Sequence, residues 1–136
     1  MSDYVLDTSA LFTLRNNEPG ADQVENLLRS ASKKKSRCFV SFLSFMEYFY
    51  CVWKEEGKAT ALKAFLELKM LPVERVDTNE ELILLAGEIK GTVPLSLADS
   101  WVAATAIQKE AKLVHKDPEF EPLSSRVSFV TLPYKN

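Results

Sequence analysis

The sequence predicts an α/β layered fold whose central sheet is mainly parallel and has about five strands. Three observations carry this expectation. Short apolar runs alternate with longer segments of helical spacing, the pattern of strand–helix–strand units that bring strands side by side in parallel. The chain has 136 residues, the length of one domain. No repeat, low-complexity tract or Pro/Gly/Ser-rich linker interrupts it. Residues 1–136 are therefore expected to form a single domain. A chain of this size buries roughly two thirds of its extended surface, which is enough to fold without disulfides or zinc.

The elements follow in order. Tyr4-Val5-Leu6 is a short apolar strand ending at Asp7. Ser9 to Arg15 begins a short helix. Pro19 fits the first turn of the next, in which Val24, Leu27, Leu28 and Ala31 recur at helical spacing. Lys33 to Arg37 is a basic loop before a second strand, Cys38-Phe39-Val40. A helix from about Leu43 to Glu56 stops at Gly57, and another from about Lys58 to Met70 stops at Pro72. Val73 to Val76 is a third strand. Thr78, with Glu81 three residues on, is placed to cap a helix reaching about Lys90. After a loop from Gly91 to Pro94, Ser96 is placed to cap a helix through about Glu110. Leu113-Val114 makes a fourth strand ending near Asp117, and Ser128 to Leu132 a fifth.

Composition narrows the chemistry. With 46% hydrophobic and 26% charged residues the chain is an ordinary globular sequence, too apolar for disorder. It carries 17 Lys and Arg against 19 Asp and Glu, a net charge of -2, so nucleic-acid binding must come from local patches. One His and two Cys leave too few ligands for structural zinc. Cys38 and Cys51 lie in apolar stretches and read as reduced thiols of a cytoplasmic protein; the N-terminus has no signal-peptide pattern. No apolar run reaches the roughly 18 residues of a membrane span. The four glycines fall in neither GxGxxG nor GxxxxGK[ST] spacing, which argues against a phosphate-cradling loop. Carboxylates remain as the chemistry-bearing groups.

In parallel sheets ligands sit beyond the carboxyl ends of the strands, where the strand order reverses. Asp7 follows the first strand and Asp117 the fourth. If those strands are neighbours, both carboxylates face one crevice. Asp99 stands in the first turn of the helix before the fourth strand, where exposed helix N–H groups favour an acid. Glu47 lies within Phe45-Met46-Glu47-Tyr48-Phe49-Tyr50 and needs a cation, hydrogen-bond donors or a route to solvent there. Clustered carboxylates repel one another, and a hard divalent ion such as Mg²⁺ or Mn²⁺ relieves that repulsion.

At these positions the sequence resembles the PIN-domain family. Val5-Leu6-Asp7-Thr8-Ser9-Ala10-Leu11 is similar to its opening motif and Ser44-Phe45-Met46-Glu47 to its second. Leu95-Ser96-Leu97-Ala98-Asp99-Ser100-Trp101-Val102-Ala103-Ala104-Thr105-Ala106 is similar to its third, and Leu113-Val114-His115-Lys116-Asp117-Pro118-Glu119-Phe120 to its last acidic motif. The motifs come in the family's order over nearly the whole chain. Size adds a similarity to VapC-type toxins of toxin–antitoxin pairs.

The resemblance implies a three-layer α/β/α domain and an Mg²⁺- or Mn²⁺-dependent endoribonuclease. Asp7, Glu47, Asp99 and Asp117 match the family's metal-binding acids, and Glu119 stands where many members place a further one. Ser9 matches a hydroxyl that supports the first acid. His115 departs from the pattern, since many relatives carry Thr or Ser there; it is expected to pack or to support the site rather than act as a base. The resemblance also implies an RNA substrate, a cognate antitoxin and a homodimer. An RNA-maturation nuclease without a toxin role is the nearest alternative, followed by a non-catalytic RNA-binding module. Aspartyl phosphoryl transfer fits poorly, because Asp7-Thr8-Ser9-Ala10 lacks the second acid of a DxDx[TV] loop.

Phosphate near an acidic pocket needs cations at the rim. The candidates are Arg15, Lys116, Lys33, Lys34, Lys35 and Arg37. The Leu43–Glu56 helix has two apolar faces, one with Phe42, Phe45, Phe49 and Val52, the other with Met46, Tyr50 and Trp53. Such a helix is either buried on both sides or carries a binding surface.

Overall fold

The computed structural model describes residues 2–135. Five strands form one sheet: β1 (Tyr4–Leu6), β2 (Cys38–Ser41), β3 (Glu74–Val76), β4 (Lys112–His115) and β5 (Phe129–Thr131). Their order is β3-β2-β1-β4-β5 and every pairing is parallel. The chain runs from β1 outward to β3, then returns to the other side of β1 for β4. The strand order therefore reverses between β1 and β4, which pair with Leu6 opposite Val114. The condition set by the sequence, that the first and fourth strands be neighbours, is met.

Six helices cover the sheet: α1 (Thr8–Arg15), α2 (Ala21–Ser32), α3 (Phe42–Glu56), α4 (Lys58–Met70), α5 (Glu80–Thr92) and α6 (Leu97–Gln108). A 3₁₀ segment, Pro118–Leu123, follows β4. Successive strand side chains point to opposite faces, and this alternation divides the core in two. Val5, Phe39 and Leu113 pack with Leu82, Ile89 and Val102 of α5 and α6. Leu6, Val40 and Val114 pack with Leu11, Val24, Val52 and Leu68 of α1 to α4. A sheet buried on both faces needs strands that are apolar throughout, as Val5-Leu6 and Leu113-Val114 are. The result is the expected three-layer α/β/α arrangement.

Several boundaries differ from the sequence reading. Pro19 does not enter a helix: α2 starts at Ala21, behind Gly20 at φ 105°. A Cβ on Gly20 would meet Pro133 Cδ at 3.1 Å and Leu132 Cβ at 3.2 Å, so the position needs glycine for both conformation and space. Asn79, not Thr78, caps α5, its side chain accepting the Leu82 amide at 2.8 Å. With the cap moved by one residue the Thr78–Glu81 box does not form. α5 runs through Gly91 to Thr92, which shortens the expected loop, and α6 ends at Gln108 rather than Glu110.

The double-sided burial considered for α3 is also corrected. Phe45 and Val52 are buried, whereas Met46, Tyr50 and Trp53 are 54%, 41% and 44% exposed. Only one of its apolar faces joins the core. α4 beside it leaves Leu62, Leu66 and Met70 exposed as well. No helix among the described residues is long and apolar enough to cross a membrane.

Candidate metal centre

The topology puts three chain starts at one place. α1 begins directly after β1, the 3₁₀ segment directly after β4, and the N-terminus of α6 adjoins them. Asp7 is the N-cap of α1, its carboxylate accepting the Ser9 amide at 3.1 Å. Asp117 caps the 3₁₀ segment, accepting the Glu119 amide at 2.9 Å. Asp99 is the third residue of α6, and Ser96 Oγ accepts its amide at 3.1 Å. Exposed N–H groups at these helix starts favour carboxylates at all three positions.

Asp99, Asp117 and Glu119 form the tightest group. Each presents an acidic oxygen, and these oxygens lie within 4.8 Å of one another. The charge of Asp7 acts on Asp99, and that of Glu47 acts on Asp7. Asp7 is 4% exposed and Asp99 is 8% exposed. Burial raises the Asp7 pKa from 3.8 to about 6; the Ser9 hydrogen bonds oppose the rise, while Glu47 and Asp117 add to it. Burial likewise raises Asp99, to about 8, with the charges of Asp7 and Asp117 next in weight. The helix starts thus do not compensate for burial and mutual repulsion. Near neutral pH this cluster calls for a proton or a cation.

Supporting residues fix the acids. Ser9 Oγ donates to Asp7 Oδ2 at 2.5 Å and accepts the Lys116 amide at 2.9 Å, joining the ends of β1 and β4 through one hydroxyl. Thr8 Oγ1 donates to Glu47 Oε1 at 2.7 Å, tying α3 to α1. This contact answers the question of Glu47's surroundings: it is half-buried and hydrogen-bonded. Thr8 carries this role unforeseen by the sequence reading, although it stands between Asp7 and Ser9 in the first motif.

His115 is fully buried between Phe120 and Phe129. Its Nδ1 accepts the Asp117 amide at 3.0 Å, so the proton sits on Nε2, 3.3 Å from Thr131 Oγ1. Burial lowers its pKa, keeping the ring neutral. It holds the backbone of Asp117 rather than facing the cluster.

The candidate rim cations are dispersed over the fold. The Lys33–Arg37 loop precedes β2 and so lies at the amino ends of the strands, opposite the acids, which follow their carboxyl ends. Arg37 there is paired with Glu74 at 2.8 Å. Lys116 is beside the acids, but its side chain is 5% exposed and paired with Glu18 at 3.2 Å. Arg15 pairs with Glu56 at 3.5 Å.

A parallel α/β domain with buried acids at its strand-order reversal is defined by this fold and site. The chain belongs to the PIN domain family, whose model matches residues 4–124. No curated protein sequence matches it. Its fold is similar to that of VapBC2 from Rickettsia felis bound to a DNA fragment from their promoter. That likeness has 21% identity and a TM-score of 0.77, covering 96% of this chain and 99% of that one. DNA-bound VapBC from Salmonella typhimurium is 24% identical with a TM-score of 0.73, over 96% and 98% of the two chains. VapC20 from Mycobacterium tuberculosis, a sarcin–ricin loop cleaving toxin, is 17% identical with a TM-score of 0.68, over 88% and 93%.

Proposed function

We propose that the chain is a divalent-metal-dependent endoribonuclease and the toxin of a toxin–antitoxin pair. The observation that carries this is the convergence of Asp7, Asp99, Asp117 and Glu119 at the β1/β4 reversal, with Asp7 and Asp99 held far above ordinary carboxylate pKa values. The donor set is all carboxylate oxygen, which fits hard Mg²⁺ or Mn²⁺. Asp99, Asp117 and Glu119 would hold the ion, with Asp7 and Glu47 beside them. When bound, the metal supplies Lewis acidity for attack of water on an RNA phosphodiester.

The chain's own residues do the positioning. Ser9 fixes Asp7 and the start of the segment carrying Asp117. His115 fixes the Asp117 backbone from behind, and Thr8 orients Glu47. No imidazole faces the acids, so no histidine base takes part.

The toxin assignment draws on family membership and on the likeness to the VapBC structures. We assign the exposed face of α3, with Met46, Tyr50 and Trp53, to a protein partner, either a second copy in a homodimer or the antitoxin; apolar patches of this kind mark interaction surfaces. A cytoplasmic location agrees with free Cys38 and Cys51 and with an RNA substrate. The test is an RNA cleavage assay with mapped cut positions. Cleavage in Mg²⁺ or Mn²⁺ that EDTA abolishes is expected; cleavage indifferent to EDTA would defeat the reading.

A further inference from the structure

A cleft of about 570 Å³ adjoins the acid cluster and has no part in the reading above. Ser9, Lys116 and Pro118 line it, and these residues either bond Asp7 or flank Asp117, so the cleft is continuous with the candidate centre. Phe12 and Tyr134 give it two aromatic rings, and Asn16 a side-chain amide. Both rings are held in place. Tyr48, which does not line the cleft, stacks on Phe12 at 4.9 Å and 25°. The Tyr134 hydroxyl donates to Glu121 at 3.1 Å, leaving the side chain 38% exposed. Lys135 stands at the same cleft, its Nζ 2.9 Å from Glu18 and largely open to solvent.

We propose that this cleft binds the base of a nucleotide adjoining the scissile phosphate of single-stranded RNA. It rests, for the RNA, on the nuclease reading. The volume is that of a small-ligand site. Aromatic faces stack any base, at about 1–3 kcal/mol each. An Asn amide offers a donor and an acceptor to a base edge. Glu18 is shared by Lys116 and Lys135, Glu55 adds a second carboxylate to the cleft wall, and Lys135 stands where it can meet a phosphate. Stacking on Phe12 or Tyr134 would set the register in which the neighbouring phosphate reaches Asp99 and Asp117.

The test uses ¹⁵N-labelled full-length protein in EDTA, titrated with each of the four ribonucleoside 5′-monophosphates and with ribose 5-phosphate. Amide shifts are read by NMR, so the result does not depend on catalysis. Saturable shifts at Phe12, Asn16, Tyr134 and Lys135 are expected with nucleotides and not with ribose 5-phosphate. Tyr134→Ala should weaken binding at least ~5-fold by loss of stacking, and Tyr134→Phe should retain it. Equal shifts with ribose 5-phosphate, no shifts at these residues, or unchanged affinity in Tyr134→Ala would overturn the proposal. Nucleotide binding here without any RNA cleavage would defeat the nuclease reading alone. Metal-dependent cleavage with no nucleotide in the cleft would defeat the cleft alone.

Discussion

The Ser9 hydroxyl donates to the Asp7 carboxylate at 2.5 Å while accepting a backbone amide from the end of β4. One small side chain thus ties together the segments that follow β1 and β4, which carry Asp7 and Asp117. Ser9→Ala removes both bonds but leaves the buried cores untouched. It should lower RNA cleavage by about 10–100-fold, the usual effect of losing a group that orients a ligand. Rate measurements at saturating Mn²⁺, with circular dichroism to confirm folding, check this. An unchanged rate would remove Ser9 from the site.

The raised acids make a signed prediction for pH. Asp7 and Asp99 titrate near 3.8 when unfolded and at about 6 and about 8 when folded. Between those values the folded protein binds more protons than the unfolded chain, so its stability falls as pH rises. Thermal melts in EDTA should therefore decline from about pH 4 toward pH 8 from these two groups and level off above. Asp99→Asn should flatten the decline and stabilise the metal-free protein at pH 8 by about 1–3 kcal/mol, while abolishing cleavage. A melting temperature lower than wild type at that pH would contradict the account.

His115 should matter to stability before chemistry. Replacing it by Leu leaves the half-buried Asp117 amide without its acceptor, a loss of about 1–3 kcal/mol. Urea denaturation at pH 7 measures it. Because no imidazole faces the acids, the cleavage pH profile of the folded variant should keep the wild-type shape. A lost titration step in that profile would make His115 a participant instead.

Gly20→Ala probes how the C-terminal strand-end segment is seated. The substitution meets Pro133 and Leu132 at a left-handed φ, so a loss of roughly 1–2 kcal/mol or more is expected in the same denaturation series. The Tyr134 and Lys135 amides should shift with it, since the segment carrying them packs on Gly20. A silent substitution would mean that this close approach is not maintained in solution.

Much of this was legible in the sequence. Apolar runs ending in Asp7 and before Asp117 placed two acids beyond strand ends, and family motifs added Glu47, Asp99 and Glu119. What sequence could not supply was direction and pairing at longer range. Lys33 to Arg37 looked like a phosphate rim because charge is visible in sequence, but the end of the sheet it occupies depends on topology. Lys116 neighbours Asp117 in the chain, yet its ion pair with Glu18 comes from 98 positions away. Helix caps slipped by a residue, as at Thr78 and Asn79, because adjacent residues both had the right chemistry. The prominence of Glu119 within the acid trio followed from the turn of the 3₁₀ segment, which spacing does not reveal.

Asp99, Asp117 and Glu119, which are buried, half-buried and exposed in turn, are the proposed site for a hard divalent ion. Isothermal titration of the metal-free protein with Mn²⁺ at pH 7.5 tests it most directly, with Asp99→Asn titrated in parallel. Saturable binding with proton release is expected in the wild type, and loss of that binding in the variant. No saturable binding by the wild type, or equal binding by Asp99→Asn, would contradict it.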